Sequence, residues 1–436
     1  MDWEKIYKER LVSSPQEAAK VIKSGDHVAV GYAAAEPTAV LRAICDRYEE
    51  LENVEIFQGL NLGTAPFCDP IYAGHIRLNT PFASTPTRKA IWEGRADYNA
   101  HHFSDVIKGF MEGYLPVDVY ITTVTPPDED GYVCLGLGVD YGMYASEVSK
   151  FNIMVVNPNM PWTYGENKIH VSKIDMFVEC DDPIPEMAPI DGTDETSEKI
   201  GKYVADLIED GSTLQMGQGK ISNAVLKYIG DKKDLGIHTE VFSNFLRPLI
   251  EKGIVTGAAK NIDKGKIVAA MVQGTRDFYD FVDRNEMIKL MPVGYVNDPA
   301  IISKNDKVCA LNASLEVNLL GEACSEAIGN KMFSGIGGQV DFLRGAAKSK
   351  GGKPILILPA TAKKGTVSRI VCEFKPGTPI SCTRMDVQWV VTEYGAVNLF
   401  MKTVEERARL LISIAAPQFR EQLEKDWFEY NRRMRE

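Results

Sequence analysis

The sequence lacks the cysteine spacing, the long apolar runs and the leader segment that mark several common classes of protein. Its eight cysteines include no C-x-x-C pair and its six histidines lack the spacing of metal ligands, so we expect reduced thiols and no metal site. No apolar run reaches the roughly 18 residues that a membrane helix needs. The N-terminal stretch MDWEKIYKER has no apolar segment typical of a signal peptide, which predicts a cytoplasmic protein without a membrane partner.

The sequence also lacks an excess of positive charge. It has 49 lysine and arginine residues against 60 aspartate and glutamate residues, for a net charge of -11. Because phosphate backbones bind to basic surfaces, this balance argues against a nucleic-acid partner. An anionic small molecule would have to bind at a local basic patch.

Short apolar, β-branched runs alternate with amphipathic stretches along the 436 residues, a pattern typical of α/β folds with mostly parallel sheets covered on both faces. The length predicts two or three domains. The predicted strands begin at His27, Val54, Val117, Asn152, Ser212, Gly236, Ile267, Val308, Pro354 and Asp386. The clearest predicted helices cover residues 15–24, 38–50, 194–209 and 402–426.

Two stretches of the sequence resemble each other. VIKSGDHVAVGYAAAEPTAVLRAI from Val21 aligns with LIEDGSTLQMGQGKISNAVLKYI from Leu207, so that Gly31 matches Gly217. Both run from a helix through a tight glycine turn to a strand, a second glycine and another helix. The match predicts two related α/β domains, and a cleft between two such domains is the default place for a ligand.

The stretch from Val178 to Lys199 is rich in proline and aspartate and has no clear periodicity, which favours an interdomain linker. We therefore predict an N-terminal domain over residues 1–185 and a C-terminal domain over residues 186–436.

A glycine turn, a helix and a strand ending in one acidic residue make up TLQMGQGKISNAVLKYIGDKKDLGIHTE, from Thr213 to Glu240. In a dinucleotide-binding enzyme, Gly217 and Gly219 would admit a pyrophosphate to the helix N-terminus and Glu240 would bind a ribose. In an acyl-transfer enzyme, the turn would offer backbone N–H groups to an oxyanion and Glu240 would be the nucleophile. The turn alone supports both interpretations.

A second glycine-rich segment, SGIGGQVDFLRGA from Ser334, contains Gly337 and Gly338. Its backbone N–H groups can be aimed at a developing negative charge if the surroundings hold the loop. The alternative is a plain tight turn. The apolar pattern resumes directly after the glycines, which indicates a loop held against the core.

Two lesser features complete the pattern. PPDEDGYVCLG from Pro126 predicts a hairpin with a structural role. Lys363, Lys364 and Arg369 form a rare basic turn in KKGTVSRIV, which we interpret first as a solvated surface loop and alternatively as a site for the phosphates of a nucleotide.

In order and approximate spacing, TLQMGQGKISNAVL, GIHTEV, FSGIGGQVDF and VVTEYG resemble the acetyl-CoA hydrolase and CoA-transferase family, especially its 4-hydroxybutyrate and butyryl-CoA:acetate CoA-transferases. The resemblance covers the whole chain. It implies two related open α/β domains of the CoA-transferase type, with mostly parallel sheets and the active site between them. It also implies that CoA is a substrate, that no cofactor is permanently bound, and that the protein is a homodimer or a higher homo-oligomer.

The resemblance assigns roles to individual residues. It implies that Glu240 is the nucleophile that forms an acyl-glutamyl anhydride and then a glutamyl-CoA thioester in a ping-pong exchange between an acyl-CoA and a short-chain carboxylate such as acetate. It places oxyanion donors at the backbone N–H groups of Gln218 and Gly338. By similarity of VNDP to the family's Asn-His-Pro stretch, it adds the side chain of Asn297, with Asp298 where the family usually has histidine.

Further residues are candidates for binding CoA and the acyl group. We expect CoA to contact Gly217, Gly219, Gly337, Gln339, Lys363, Lys364 and Arg369. Phe245 follows Glu240 closely in sequence and is expected to narrow the acyl pocket. An acyl-CoA hydrolase using the same glutamate is the main alternative. A nucleotide-binding dehydrogenase or a ligand sensor is a remote one, since neither would use SGIGGQVDF.

Overall fold

The computed structural model describes residues 2–188, 190 and 192–436. Contacts within the chain divide it into two compact units. Unit 1 consists of Met1–Pro189, Glu240–Asn244 and Val268–Val296. Unit 2 consists of Ile190–Thr239, Phe245–Ile267 and Asn297–Glu436. The predicted boundary between residues 185 and 186 stays a prediction, and residues 189 and 191 of the predicted linker lie outside the described residues.

The secondary structure alternates between strands and helices in both halves of the chain. The helices are α1 (Trp3–Arg10), α2 (Pro15–Ala19), α3 (Thr38–Cys45), α4 (Arg88–Trp92), α5 (Asp105–Met111), α6 (Gly142–Val148), α7 (Glu195–Leu207), α8 (Lys220–Tyr228), α9 (Arg247–Glu251), α10 (Arg276–Val282), α11 (Val293–Val296), α12 (Pro299–Ile302), α13 (Gln339–Lys348), α14 (Val404–Ser413) and α15 (Pro417–Arg435).

The strands fall into two groups, one on each side of residues 189–191. Up to residue 188 they are β1 (Leu11–Val12), β2 (His27–Val30), β3 (Val54–Phe57), β4 (Ile76–Thr80), β5 (Ala96–Tyr98), β6 (Val119–Val124), β7 (Tyr132–Cys134), β8 (Phe151–Val156), β9 (Tyr164–Gly165), β10 (Lys168–His170) and β11 (Met176–Glu179). From residue 192 they are β12 (Thr213–Met216), β13 (Gly236–Ser243), β14 (Ile267–Gln273), β15 (Ile288–Leu290), β16 (Val308–Ala313), β17 (Glu316–Asn318), β18 (Ala323–Cys324), β19 (Ala327–Ile328), β20 (Lys331–Met332), β21 (Lys353–Ile357), β22 (Thr361–Ala362), β23 (Val367–Ser368), β24 (Ile370–Val371), β25 (Trp389–Thr392) and β26 (Gly395–Asn398).

The large sheet of unit 1 is parallel and has the strand order β1-β11-β8-β6-β2-β3-β4-β5. Every residue of β6, Val119 to Val124, is buried. Strands that are covered on both faces bury their side chains whichever way they point, which explains why β6 has no polar alternation. Each fully buried Val or Ile contributes about 1.5–3 kcal/mol relative to an exposed one.

The sheet of unit 2 contains the order β25-β21-β16-β12-β13, also with parallel neighbours. Unit 1 has the equivalent order β11-β8-β6-β2-β3. In each unit the strand that precedes the matched glycine turn, β2 or β12, lies in the interior of the sheet. The next strands in the chain are added on one side of it, and the later strands on the other side. The predicted α/β fold with two related domains and mostly parallel sheets is confirmed.

The predicted helices form, but they end earlier or divide. Helix 15–24 is observed only at Pro15–Ala19, and helix 38–50 only at Thr38–Cys45. The stretch 402–426 forms two helices, because Pro417 lacks the backbone N–H that a continuous helix needs and instead opens α15. The prediction for 194–209 is close to the observed Glu195–Leu207, which Asp194 caps by accepting from the backbone N–H of Ser197.

The segment from Pro126 turns back on itself without forming two paired strands. The side chain of Asp128 accepts hydrogen bonds from the backbone N–H groups of Asp130 and Tyr132 and closes the turn. The strand that pairs with β7 is β10, from the later part of the unit. The predicted turn therefore exists, and the N–H groups of Thr125 and Asp128 donate across it to the carbonyls of Cys134 and Tyr132. Its first arm does not become a strand, because Pro126 and Pro127 cannot donate to a ladder.

Candidate active site

The glycine turn of unit 2 joins β12 to α8. Ser222 donates its hydroxyl to the carbonyl oxygen of Gly217 at 2.5 Å, and the N–H of Asn223 donates to the carbonyl of Gly219 at 2.9 Å. A Cβ atom added at Gly217 or Gly219 would meet no atom within 4 Å. The packing of the chain itself therefore does not require glycine at these positions, which open onto empty space.

That space is a cavity of about 270 Å³ at the carboxyl ends of three parallel strands. Its walls are the glycine turn from Gly217 to Ser222, with Leu311, Ala313, Ile357 and Pro359. The first turn of α7 completes it with Asp194, Thr196 and Ser197. The cavity lies beside β12 and β16, where the direction in which strands are added reverses, and open α/β sheets bind ligands at such points.

The second glycine segment lies at the carboxyl end of β16, one of the strands beside the cavity. Gly337 adopts a left-handed φ of 51°, and Gly338 directly precedes α13. The side chain of Gln339 donates to the carbonyl oxygen of Ala313 at 2.8 Å and accepts from the thiol of Cys382 at 3.3 Å. Because Ala313 lines the cavity next to the Gly217 turn, unit 2 brings the two glycine segments together at the carboxyl end of β16.

Glu240 lies in β13, within the part of that strand that belongs to unit 1. Its side chain is half-buried. Its charge acts on two fully buried groups of the unit: together with burial, it raises the pKa values of the Tyr32 phenol and of the Asp140 carboxyl, the latter to about 7. Glu240 therefore faces a sheltered group of side chains in unit 1.

Tyr32 occupies the glycine turn of unit 1, at the position equivalent to the Gly217 turn. Its ring contacts Phe103 and Tyr141, and a Cβ at Gly59 would come within 1.7 Å of the ring. The absence of a side chain at Gly59 therefore leaves room for the tyrosine, which fills the space that the equivalent turn of unit 2 leaves open.

A second buried carboxyl follows in the same turn. Glu36 is 4% exposed and accepts hydrogen bonds from the side-chain amides of Gln58 at 3.0 Å and Asn61 at 2.7 Å. The hydroxyl of Thr38 donates to it at 3.3 Å. Burial raises the pKa of Glu36, and the hydrogen bonds from Gln58 and Thr38 oppose the rise. The carboxyl is well provided with donors inside unit 1.

The predicted donor Asn297 is fully buried in unit 2. It directly precedes Asp298, whose side chain accepts from the backbone N–H of Ala300 at 2.7 Å and caps α12. The departure from the histidine usual in the family therefore has a local structural role. Phe245 lies at the start of the next segment of unit 2 and is half-buried.

Lys363 and Lys364 form the tip of a hairpin between β22 and β23, and both adopt a left-handed φ, of 48° and 57°. Both side chains are exposed, which agrees with a solvated loop. Arg369 is half-buried, and burial lowers its pKa. The two lysines therefore lie in solvent at the tip of the hairpin, and the arginine is the sheltered cation below it.

Sequence reasoning missed Tyr32, Glu36 and Asp140. Tyr32 and Glu36 lie in the stretch that the internal repeat had marked, and the repeat was the signal that could have found them. Asp140 lies in LGLGVDYG, where a single acid among apolar residues and glycines gives only a weak signal. Its burial became visible only in the folded unit.

Two further properties concern the described residues as a whole. Among residues 2–188, 190 and 192–436, no group of three or more His, Cys, Asp or Glu side chains is arranged to hold a metal ion. In the same part of the chain, no helix combines the length and the apolar character needed to cross a membrane.

The N-terminal domain of acetyl-CoA hydrolase/transferase matches residues 1–188, and its C-terminal domain matches residues 274–427. The chain is 43% identical to the 4-hydroxybutyrate coenzyme A transferase of Clostridium kluyveri over 97% of this chain and 98% of the relative. It is also 43% identical to the succinyl-CoA:cyclohexane-1-carboxylate CoA transferase of Geobacter metallireducens, over 97% and 95%.

More distant relatives and solved structures carry similar names. A butyryl-CoA:acetate CoA-transferase of Anaerostipes caccae is 35% identical over 98% of this chain and 97% of the relative. An acetyl-CoA hydrolase of Schizosaccharomyces pombe is 25% identical over 94% and 88%. RipA from Yersinia pestis superimposes with a TM-score of 0.93 at 35% identity, covering 99% of this chain and 100% of that one.

A 4-hydroxybutyrate CoA-transferase from Porphyromonas gingivalis superimposes with a TM-score of 0.84 at 38% identity, covering 99% of this chain and all of that one. The names of these relatives confirm the predicted enzyme class. The chain belongs to the acetyl-CoA hydrolase/transferase family.

Proposed function

We propose that this protein transfers CoA between a short-chain acyl-CoA and a carboxylate such as acetate, with Glu240 as the nucleophile. The observation that carries the proposal is the setting of Glu240 in unit 1. Its side chain is half-buried, and its charge acts on two fully buried groups. A carboxylate is a weak nucleophile, and partial removal from water favours its attack on a thioester.

The reaction proceeds in two halves. A Glu240 carboxylate oxygen attacks the thioester carbonyl, the C–S bond breaks, and an acyl-glutamyl anhydride and CoA thiolate form. The thiolate attacks the glutamyl carbonyl, which releases the first acid as its carboxylate and leaves a glutamyl-CoA thioester. The acceptor carboxylate then attacks the glutamyl carbonyl of that thioester and expels CoA thiolate, which gives a second acyl-glutamyl anhydride. The thiolate attacks the acyl carbonyl of this anhydride, which forms the new acyl-CoA and releases the Glu240 carboxylate. Every step exchanges one acyl bond for another, so no redox or metal chemistry is required.

The glycine segments of unit 2 support the stabilisation of the oxyanions. We assign the backbone N–H groups of Gln218 and Gly338 and the side chain of Asn297 as donors. A well-placed donor of this kind is worth about 2.7–4 kcal/mol in a transition state. Both glycine segments lie at the carboxyl end of β16, beside the cavity of about 270 Å³.

CoA itself requires an extended binding surface. We assign its contacts to Gly217, Gly219, Gly337 and Gln339 around the cavity and to Lys363, Lys364 and Arg369 for its phosphates. Arginine can bind a phosphate with two parallel hydrogen bonds. Phe245 is assigned to the acyl pocket.

The proposal also covers the organisation of the protein. It is a cytoplasmic homodimer or higher homo-oligomer, and each chain has one domain over residues 1–185 and another over residues 186–436.

Glu240→Gln tests the nucleophile. The amide has almost the same shape but cannot form an anhydride, so we expect CoA exchange to fall by at least about a thousandfold with little change in melting temperature. Glu251→Gln, on an exposed glutamate of α9, is the matched control and should retain wild-type exchange. Substantial exchange by folded Glu240→Gln protein would contradict the covalent mechanism.

A trapping experiment addresses the intermediate directly. Wild-type protein is incubated with a short-chain acyl-CoA and then with borohydride, which reduces a glutamyl thioester to an alcohol. We expect inactivation and a changed peptide mass at Glu240 alone. An unmodified Glu240 in inactivated protein would place the covalent chemistry elsewhere.

An acyl-CoA hydrolase is the second candidate, since a relative of that name matches most of the chain. In this case water in place of a carboxylate would attack the intermediate. The two activities separate when free CoA and acetyl-CoA are both measured with and without acetate. A transferase forms acetyl-CoA only with acetate, whereas a hydrolase releases CoA at a rate that acetate does not change.

A further inference from the structure

Asp140 is a buried carboxyl group that the exchange reaction described above does not use. It is 1% exposed and lies between β7 and α6 in unit 1. Its backbone is tied down on both sides: its N–H donates to the carbonyl of Ala270 at 3.0 Å, and its carbonyl accepts from the N–H of Val293 at 2.9 Å. The position of the side chain is therefore set by a fixed loop.

The two oxygens of this carboxyl have different surroundings. Oδ1 accepts from the backbone N–H of Tyr141 at 2.7 Å. Oδ2 is fully buried and has no hydrogen-bond partner among the described residues. A buried carboxylate with one bare oxygen is costly, whereas a carboxylic acid can carry its proton on that oxygen.

Among the described residues, phenols and a carboxyl are the titratable groups that interact with Asp140. Those that interact with it in unit 1 are the phenols of Tyr32, Tyr120 and Tyr141 and the carboxyl of Glu240. Burial is the main cause that raises the pKa of Asp140 to about 7, and the charge of Glu240 adds to it, while the Tyr141 N–H opposes them. Glu36, also a buried carboxyl of unit 1, differs because amide and hydroxyl donors surround it.

Asp140 and Glu240 therefore form an interacting pair of carboxyl groups. Asp140 is fully buried, and burial favours its neutral form, whereas Glu240 is half-exposed. A neutral Asp140 adds no negative charge beside the residue to which we have assigned the nucleophilic attack.

We propose that Asp140 is a positioning residue that must be protonated for an acceptor carboxylate to approach Glu240. The inference rests on the proposed role of Glu240. The acceptor is an anion, and the oxyanions of the exchange are also negative, so a second ionised carboxyl beside Glu240 repels each of them in a poorly screened site. A neutral Asp140 removes that repulsion and keeps its hydrogen bond from Tyr141.

The test is the pH dependence of kcat/KM for the acceptor carboxylate, from about pH 5.5 to about pH 9. For the wild-type enzyme we expect this parameter to fall at alkaline pH as Asp140 ionises, with KM for the acceptor rising. Asp140→Asn keeps an acceptor for the Tyr141 N–H and cannot ionise. It should retain the activity of the neutral form and lose the alkaline fall.

Asp118→Asn is the matched control in the same unit. Lys150 and the backbone N–H of His27 hold the pKa of Asp118 at about 2 against the effect of burial, so this residue stays ionised across the tested range. Its variant should show the wild-type pH profile. An unchanged alkaline fall in Asp140→Asn would overturn the inference, as would loss of activity at every pH in folded protein.

A second measurement needs no variant. Infrared difference spectra of the wild-type protein between about pH 6 and about pH 8.5 should show a protonated carboxyl stretch that disappears as Asp140 ionises. Absence of that band would contradict the inference even if Asp140→Asn failed to fold. Trapping at Glu240 separates the two proposals: if no adduct forms there, the nucleophile assignment fails, whereas an adduct with an unaltered alkaline fall in Asp140→Asn refutes only the role of Asp140.

Discussion

The glycine turns that follow β2 in unit 1 and β12 in unit 2 occupy equivalent positions in related sheets, but their surroundings differ. A Cβ at Gly31 would come within 2.3 Å of the carbonyl oxygen of Ala35 and the hydroxyl of Thr122. A Cβ at Gly217 would meet nothing within 4 Å. In unit 1 the chain fills its own turn, whereas in unit 2 the turn opens onto a cavity.

The difference shows how one supersecondary motif can serve two purposes. In unit 1 the residues after the glycine, Tyr32 to Glu36, are all buried, and the charge of Glu240 acts on Tyr32. In unit 2 Gln218 and Lys220 follow the glycine, and α8 begins at once, so its N-terminus borders the cavity. A filled turn can shape a pocket around a nucleophile, and an open turn can offer backbone N–H groups to a ligand.

The largest expected difference between the two turns is in the stability of alanine variants. Gly31→Ala places a methyl group against backbone and should destabilise the protein by about 1–3 kcal/mol, the usual cost of overpacking a core. Gly217→Ala should change the free energy of unfolding by less than about 0.5 kcal/mol. Urea titrations of both variants measure the difference, and equal losses would show that the two turns are packed alike.

A bulkier side chain at the open turn of unit 2 should weaken the binding of acyl-CoA. Gly217→Val would project into the cavity of about 270 Å³, and we expect KM for the acyl-CoA to rise by about tenfold or more, equivalent to about 1.4 kcal/mol of binding. Gly230→Val, at an exposed glycine after α8 whose Cβ would also meet nothing within 4 Å, is the control and should keep its KM. Unchanged kinetics in Gly217→Val would mean that the cavity does not take part in binding acyl-CoA.

The smallest effect concerns the charge in the open turn. The Lys220 ammonium lies 3.4 Å from the Asp194 carboxylate, and both side chains are about half exposed. Lys220→Ala should cost no more than about 1 kcal/mol, since solvent screens such pairs. Asp194→Ala should lower the free energy of unfolding by about 1 kcal/mol more than Lys220→Ala does, because Asp194 also caps α7. Thermal unfolding of both variants tests this order, and its reversal would show that Lys220 stabilises the protein through contacts other than the pair with Asp194.

The sequence was sufficient for the architecture because the signals involved are local and repeated. Buried β-branched runs such as that from Val119 to Val124 predict strands wherever they lie in a sheet. The matched glycine turns revealed the duplication, and the observed strand orders bear it out. Helix ends were less accurate, since Pro417 divides a stretch whose apolar pattern continues on both sides.

By itself the sequence determined the α/β class, the duplicated glycine turn, the family and the candidates for chemistry, because each of these is written in local patterns and motif order. Only the tertiary structure decided which turn is filled and which is open, and which acids are buried. Gly31 and Gly217 look alike in sequence, and Asp140 resembles any other aspartate in a loop. What separates them is the packing of residues distant in the chain, and burial and charge act through such neighbours.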